Sequence, residues 1–267
     1  MRTLRSLLIC AATSLSVGCS TNGAGVGGRV MSANATPLSV DLRAVRLSGG
    51  MQWLNLLSNA PKPRRMLLLA PTDVTAGGER RPLVVFLHGG AGAEKLPKRF
   101  QCLLAPAFER LSPAPIFVAP DAGGEDWWSD ANAALVLGIV DAAVRDWPVR
   151  TDRVVIMGYS NGGIGSWFFA RLYPEWFSAA IPMASNSGIM GETPLPVRAI
   201  HGTNDTLFAV AKVRAAVDKL HEQGVNVTLT VKEGGQHEDI CAYVHELESA
   251  VDWLNLSWAA APAATAR

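Results

Sequence analysis

The chain has 267 residues, of which 49% are hydrophobic and 18% are charged, and its formal net charge at pH 7 is +1. This composition suits one well-packed domain of the larger kind, and the scattered Lys and Arg form no basic run that would indicate nucleic-acid binding. The sequence has no Gly-x-x-x-x-Gly-Lys loop, no Cys-x-x-Cys pair and no His cluster at metal spacing. We therefore expect no nucleic-acid partner, no metal and no cofactor.

The N-terminal segment predicts export. A short basic start, residues 1–5, precedes an apolar stretch, 7–17, that is too short to span a membrane. The stretch ends in Leu-Ser-Val-Gly-Cys, which resembles a bacterial lipoprotein signal in which residues 1–18 are removed and Cys19 is lipidated. Ser16 departs from that pattern, which prefers an apolar residue there. We expect a periplasmic or outer-membrane-anchored lipoprotein, and ordinary cleavage to a free periplasmic or secreted protein is the alternative.

Composition divides the rest of the chain into three parts. Residues 19–37 are rich in Gly, Ser, Ala, Asn and Thr, which predicts a flexible tether. Residues 38–258 form the predicted folded domain. Residues 259–267 are mostly Ala with one Pro, and we expect a disordered tail there.

Hydrophobic patterns along the domain alternate between strands and helices. Strands are predicted at 40–47, 66–69, 83–87, 116–119, 154–157, 178–183, 197–200 and 225–231. Helices are predicted at 97–111, 131–146, 162–173, 208–223 and 240–256. Such alternation indicates an α/β fold with a mostly parallel, doubly wound sheet and helices on both faces. Groups that act on a ligand are then expected at the carboxyl edge of the strands.

The motif Gly158-Tyr159-Ser160-Asn161-Gly162 follows the apolar strand pattern 154–157 and opens a helical pattern that stops at Pro174. Gly-x-Ser-x-Gly in this setting predicts a sharp turn that lifts a serine hydroxyl out of a sheet as a nucleophile. Side chains two residues before and two after the serine would collide across the turn, and glycine removes both collisions. We therefore identify Ser160 as the candidate nucleophile.

A serine nucleophile needs a base, and four histidines follow Ser160 in the sequence. His237 lies in a glycine-flanked loop after a strand pattern, so its side chain is predicted to reach over the sheet edge. His221 and His245 fall among charged residues in helical patterns, which favours surface positions. His201 ends an apolar strand, and we expect it to support the neighbouring acid loop. His237 is therefore the candidate base.

The base needs a carboxylate to orient it, and the expected chain order is Ser, then Asp or Glu, then His. Asp205 lies in a polar loop after an apolar strand and before a helix, so it is the candidate acid; a helix-capping role is its structural alternative. Less suitable carboxylates are Glu192, Asp218, Glu238 and Asp239.

The developing oxyanion also needs hydrogen-bond donors. Residues 82–90 form a strand pattern that ends in His88-Gly89-Gly90. Backbone N–H groups of Gly89 or Gly90, together with the N–H of Asn161, are the candidate donors. A simple tight turn is the alternative explanation for the glycine pair.

These blocks together resemble the α/β-hydrolases, and within that fold the compact esterases related to dienelactone hydrolases, feruloyl and acetyl-xylan esterases and polyhydroxybutyrate depolymerases. The resemblance covers roughly residues 40 to 257. It implies a carboxylic ester hydrolase in which Ser160, His237 and Asp205 act through an acyl-enzyme. It rests on Leu87-His88-Gly89-Gly90, Ala119-Pro120-Asp121, Gly158-Tyr159-Ser160-Asn161-Gly162-Gly163, His201-Gly202-Thr203-Asn204-Asp205 and Gly235-Gln236-His237.

The resemblance also bears on the substrate site. The interval 184–196 between two predicted strands is too short for the helical lid that many lipases of this fold carry there, so we expect no cap domain and an open, shallow site. The glycine-rich loop 121–128 is predicted to line it, with His88, Trp127 and Trp128 as candidate substrate contacts. Both tryptophans are equally compatible with a role in the core. The expected substrate is a small-molecule or polysaccharide-linked ester.

Two further expectations follow from the resemblance. Cys102 and Cys241 fall on helices that flank the same face of the sheet in this fold, so they are candidates for a disulfide in an oxidising compartment. Two buried thiols are the alternative.

The predicted ester hydrolysis has two alternative functions, a serine peptidase of the same fold and a non-catalytic binding lipoprotein.

Overall fold

The structure of the protein is a computed structural model, and it describes residues 35–47, 49–75 and 77–260. In these residues nine strands form one sheet in the order β1-β2-β3-β5-β4-β6-β7-β8-β9. The strands are β1 (Val40–Asp41), β2 (Gly50–Ser58), β3 (Arg64–Ala70), β4 (Arg81–Leu87), β5 (Ile116–Pro120), β6 (Val149–Tyr159), β7 (Ala179–Met183), β8 (Val197–Gly202) and β9 (Val227–Lys232). Pairing is antiparallel from β1 to β5 and parallel from β5 to β9 in that order.

Helices cover both faces of the sheet, as predicted. They are α1 (Leu96–Arg99) and α2 (Ala105–Phe108), which are joined by a π-helical turn (Phe100–Leu104), then α3 (Asp130–Asp146), α4 (Asn161–Leu172), α5 (Val210–Glu222) and α6 (Val244–Ala260). Short 3₁₀ helices occur at Ala93–Lys95, Pro174–Trp176, Ser187–Ile189 and Ile240–Tyr243.

The central strands are buried on both sides because their apolar residues alternate between two cores. Leu83 and Val85 of β4 belong to the core shared with α3 and α4, whereas Val84 and Phe86 belong to the core shared with α1, α2 and α6. A continuous apolar run is what a parallel strand requires when helices pack on both of its faces. This packing fixes the carboxyl ends of the central strands at one edge.

The sequence prediction was wrong at the N-terminal side of the sheet. The predicted strand 40–47 is a two-residue strand followed by a turn, in which the Val45 N–H donates to the Leu42 carbonyl at 3.0 Å. The nine-residue β2 was not predicted. The apolar residues Val40 and Leu42 are buried without a continuing strand, so an alternating pattern there reflects burial rather than extended pairing.

Segment boundaries also differ slightly from the prediction. The Ala35 N–H donates to the Tyr173 hydroxyl at 3.2 Å, so residues assigned to the tether already contact the domain. At the other end, α6 continues through Ala260, two residues into the predicted tail. The predicted signal peptide, most of the tether and Cys19 lie outside the described residues.

Cys102 and Cys241 form a disulfide, the bond for which the resemblance made them candidates. Cys102 lies in the π-helical turn after α1, and Cys241 lies in the 3₁₀ helix before α6. The bond therefore ties the segment that follows β4 to the segment that follows β9. No helix in the described ranges is long and apolar enough to cross a membrane.

Candidate active site

Ser160 lies at the tip of the turn between β6 and α4. Its backbone has φ 57° and ψ −119°, a conformation that costs a non-glycine residue about 1–3 kcal/mol and is concentrated at functional sites. The Ser160 N–H donates to the Met183 carbonyl at 2.9 Å, which ties the strained turn to the end of β7. The predicted nucleophile thus stands at the carboxyl edge of the central strands.

The glycines of the motif are required by close backbone approach. A Cβ on Gly158 would overlap the carbonyl of Gly162, and a Cβ on Gly162 would lie 2.5 Å from the carbonyl carbon of Leu87. These neighbours are backbone atoms that cannot rotate away as a side chain can. The collision predicted across the turn is therefore present in the structure.

Substitution of Gly162 by alanine is expected to lower the free energy of unfolding by about 3 kcal/mol, the upper end of the typical cost of overpacking. The melting temperature should then fall by about 6–12 °C in a domain of this size. Gly90→Ala is the matched control, because nothing lies within 4 Å of the position that its Cβ would take. Thermal unfolding of both variants tests the argument, and equal melting temperatures would contradict it.

The structure brings Ser160, His237 and Asp205 into one hydrogen-bonded chain. The Ser160 Oγ lies 2.9 Å from His237 Nε2, and His237 Nδ1 lies 2.8 Å from Asp205 Oδ2. Asp205 and His237 are 6% and 5% exposed, so water competes little for these bonds. This is the arrangement of a nucleophile, a base and an orienting carboxylate.

Aromatic rings and one tyrosine hydroxyl hold His237 in place. The imidazole centroid lies 5.4 Å from the ring of Tyr159 and 5.3 Å from the ring of Phe208. The Tyr243 hydroxyl donates to the Gln236 carbonyl at 3.1 Å, directly before His237. Burial raises the pKa of Tyr243 to about 12, so this hydroxyl keeps its proton and remains a donor at neutral pH.

Asp205 is fixed by backbone donors on the oxygen that does not face His237. Its Oδ1 accepts the N–H groups of Leu207 at 2.9 Å and Phe208 at 2.8 Å. The capping alternative is thus partly realised, although α5 begins only at Val210. One carboxylate both closes the local turn and faces the base.

His201 supports this acid loop, as predicted. It is buried at the end of β8, and its Nε2 lies 2.7 Å from the Phe208 carbonyl. A carbonyl can only accept, so Nε2 carries a proton and donates it there. Burial lowers the pKa of His201, which favours its neutral form beside Asp205.

The predicted oxyanion loop passes directly against the nucleophile. A Cβ on Gly89 would lie 3.2 Å from the Cβ of Ser160 and 3.2 Å from the Tyr159 carbonyl oxygen. Both distances are tighter than most Cβ contacts, so a side chain at this position would require Ser160 or Tyr159 to shift by a few tenths of an ångström. On the other side of Ser160, Asn161 is the first residue of α4, and N–H groups in the first turn of a helix have no intrahelical acceptor.

His88 is part of the scaffold of this loop, and its contact with substrate stays a prediction. Its Nε2 accepts the Ala122 N–H at 3.1 Å, which leaves the proton on Nδ1, and Nδ1 donates to the Gly89 carbonyl at 2.8 Å. Burial lowers the pKa of His88, which favours this neutral tautomer. Nε2 therefore joins the loop after β5 to the oxyanion loop, and Nδ1 makes its hydrogen bond within the oxyanion loop.

Trp127 is likewise a scaffold residue, and its predicted contact with substrate is wrong. Its side chain is fully buried, its Nε1 donates to the His88 carbonyl at 2.9 Å, and the two rings meet edge to face at 5.0 Å. Trp128 is partly buried against the same core, and its contact with substrate stays a prediction.

Sequence reasoning missed Asn132, which orders the glycine-rich loop. Its Nδ2 lies 3.1–3.3 Å from the carbonyls of Ala122, Glu125 and Asp126. Ser129 caps α3 by accepting the Asn132 N–H at 3.2 Å. The Ser-x-x-Asn spacing before an apolar helix is the signal that could have located this capped turn.

The edge around Ser160 has no helical lid from the interval between β7 and β8. Residues 184–196 contain only the 3₁₀ helix Ser187–Ile189, as predicted. A cavity of about 480 Å³ lies elsewhere, near the starts of β6 and β7, and Ser160, Asp205 and His237 are not among its lining residues. Its lining residues include Val140, Thr151, Val154, Trp176 and Phe177.

No protein-family model matches the chain. Among curated proteins, NocK of Nocardia uniformis subsp. tsuyamanensis, a candidate esterase, is 27% identical over 165 residues, which are 55% of this chain and 47% of that protein. The chain spans less than half the length of the curated relatives that it matches.

Solved structures give a broader likeness. A thermostable esterase superposes with a TM-score of 0.62 at 22% identity, over 77% of this chain and 62% of its own. The S-formylglutathione hydrolase FrmB from Staphylococcus aureus superposes with a TM-score of 0.61 at 14% identity, over 78% of this chain and 97% of its own. With the mostly parallel sheet and its two helical layers, these likenesses establish the α/β-hydrolase fold that was predicted.

Proposed function

We propose, from this fold and the chain of contacts at its carboxyl edge, that the protein is a serine hydrolase that cleaves carboxylic esters. The observation that carries the proposal is the pair of short contacts from Ser160 Oγ to His237 Nε2 and from His237 Nδ1 to Asp205 Oδ2. The candidate esterase NocK and the esterase structures support an ester rather than another acyl compound as the substrate.

In the proposed mechanism, Ser160 Oγ attacks the ester carbonyl while its proton passes to His237 Nε2. Asp205 accepts the Nδ1–H and stabilises the imidazolium that forms. His237 then gives the proton to the leaving alcohol, which leaves an acyl group on Ser160 Oγ. Water repeats the same sequence and releases the carboxylic acid.

The negative charge on the tetrahedral oxygen is assigned to backbone donors. The N–H of Asn161, at the positive end of α4, and the N–H of Gly90 or Gly89 are the proposed pair. Each such donor typically contributes about 2.7–4 kcal/mol of transition-state stabilisation. The Ala122 N–H, which donates to His88, and the Trp127 Nε1–H, which donates to the His88 carbonyl, tie this loop to the loop after β5.

The proposed substrates are small soluble esters or ester groups that protrude from a polymer such as a polysaccharide. The support is the short connection between β7 and β8, which contributes no lid to enclose a long acyl chain. Trp128 remains a proposed contact in this open site.

We also propose that the protein is exported, with residues 1–18 as its signal and Cys19 as the lipid attachment point. The Cys102–Cys241 disulfide supports an oxidising compartment. Free release after ordinary signal cleavage is the alternative outcome, and mass spectrometry of the mature N-terminus separates the two.

The test is reaction of the purified folded domain with a fluorophosphonate, followed by peptide mass spectrometry. We expect one phosphonyl adduct per chain, located on Ser160, and its loss in His237→Ala. A His221→Ala variant is the matched control, because His221 is exposed on α5, and its labelling rate should equal that of the native protein. Absence of an adduct in a protein with a cooperative melting transition would support the binding-protein alternative, and faster cleavage of peptides than of esters would support a peptidase.

A further inference from the structure

Arg99, at the end of α1, is buried without an anionic partner. It is 8% exposed, and its Nη1 has no hydrogen-bond partner. No ion pair of Arg99 occurs in the part of the chain that the structure describes. Arginine is almost never buried in this way unless it is paired, because removing an ion from water is costly.

Arg81 shows how the same fold buries an arginine for structural purposes. It is 4% exposed, its Nη2 lies 2.6 Å from Asp73 Oδ2, and its Nη1 donates to the Ala114 carbonyl at 3.1 Å. Arg81 and Arg99 are the two buried arginines of the described residues. Both arginines are buried, but only Arg99 lacks a counter-ion.

That position is beside the catalytic groups. The Arg99 Cζ lies 5.8 Å from the centroid of the Tyr159 ring, and the same ring lies 5.4 Å from His237. The Tyr159 hydroxyl is also buried without a partner. Arg99 thus makes a cation–π contact with the Tyr159 ring, and the two side chains contribute two buried polar atoms, Arg99 Nη1 and the Tyr159 hydroxyl oxygen, that have no hydrogen-bond partner.

The pKa shifts of Arg99 and His88 are consistent with a position of Arg99 near the loops that contain His88 and His237. Burial is the main cause that lowers the pKa of His88, and the charge of Arg99 adds a smaller effect in the same direction. Tyr159 and then Glu238, the residue after His237, act to raise the pKa of Arg99. Burial nevertheless lowers the pKa of Arg99 overall, as expected for a cation without a close counter-ion. Arg99 is therefore within electrostatic reach of the loops that carry the oxyanion donors and the base.

We propose that Arg99 is a specificity-determining residue that pairs with a carboxylate carried by the ester substrate. This inference rests on the proposed ester hydrolysis and adds the charge of the substrate. A guanidinium presents paired N–H donors that match a carboxylate. One arginine neutralises one negative charge, which fits a carboxylate better than a phosphate monoester with its nearly two charges. The substrate class is an acidic ester, with one carboxylate besides the ester group.

The test compares matched esters that differ only in charge. The first pair, 4-acetoxybenzoate and its methyl ester, places the charge on the alcohol side. The second pair, mono-4-nitrophenyl adipate and its methyl ester, places it on the acyl side. For at least one pair the native protein should prefer the anion, and Arg99→Met should lower the ratio of kcat/KM for anion over neutral ester by about ten- to hundredfold.

Two variants control for simple charge and packing effects. Lys98→Met removes the same charge one residue earlier, at an exposed position of α1, and should leave the ratio unchanged. Arg99→Lys should restore part of the preference. An equal loss for charged and neutral esters in Arg99→Met, or no native preference in either pair, would overturn the proposal.

A measurement on the native protein avoids any folding defect of the variants. Succinate should inhibit competitively with an inhibition constant at least tenfold below that of the neutral succinamide, and equal constants would overturn the proposal. Fluorophosphonate labelling of Ser160 separates the two hypotheses, because that neutral probe needs no carboxylate site. Labelling without charge preference removes only the role of Arg99, whereas failure to label removes the proposed hydrolysis.

Discussion

Replacing Ser160 by alanine is expected to reduce ester turnover by about 10⁴–10⁶-fold, the range typical of removing the nucleophile of a Ser-His-Asp triad. In the proposed mechanism the Oγ forms the acyl bond, and no other hydroxyl makes a hydrogen bond to His237 in the described residues. The strained backbone at φ 57° is held by the Met183 carbonyl and by the glycines around it. Alanine leaves those backbone contacts in place.

The Ser160→Ala experiment is complete only with a measure of folding. Steady-state kinetics on a small chromogenic ester should be paired with thermal unfolding, and the melting temperature should change by no more than a few degrees. Turnover within tenfold of the native rate in a well-folded variant would show that the hydrolysis does not pass through Ser160.

The second large effect is expected for Asp205→Asn, at about 10⁴-fold in kcat. Asp205 Oδ1 accepts two backbone N–H groups, from Leu207 and Phe208, so the single amide oxygen of asparagine is held at that position. The amide NH₂ then faces His237 Nδ1. A donor there selects the imidazole tautomer with its proton on Nε2, which is unable to accept the proton of Ser160.

The Asp205→Asn substitution removes the negative charge of Asp205 and preserves the shape of its loop. Asp218→Asn is the control, because Asp218 is exposed on α5 and should retain native kcat. Nuclear magnetic resonance of the imidazole nitrogens reports the tautomer directly. A native kcat in Asp205→Asn, or an unchanged tautomer, would refute the proposed role of Asp205.

The sequence was most informative where close backbone contacts allow only a few residue types at a position. The Gly-x-Ser-x-Gly motif is constrained by backbone contacts such as that of Gly162 with Leu87, and strand alternation placed the loops of Ser160, Asp205 and His237 on one edge. The order of these blocks along the chain therefore predicted which side chains would meet.

The sequence was least informative where burial decides the role of a polar or aromatic side chain. Trp127 and Trp128 are adjacent, yet only Trp127 is fully buried, and nothing local to the sequence distinguishes them. Arg99 falls in the predicted helix 97–111, and nothing in the sequence analysis indicated that its side chain is buried. β2 was missed because its residues are only partly buried, so no clean alternation marks it as a strand.

The bond between Cys102 and Cys241 has a consequence for how the chain responds to cleavage by proteases. The two residues are 139 positions apart, and Ser160, Asp205 and His237 all fall inside the interval. The bond converts that interval into a closed ring of chain. A single peptide cleavage at any point of the ring leaves both fragments joined, so Ser160, Asp205 and His237 stay in one covalent molecule. The effective concentration of these three residues relative to one another is therefore kept after the cut.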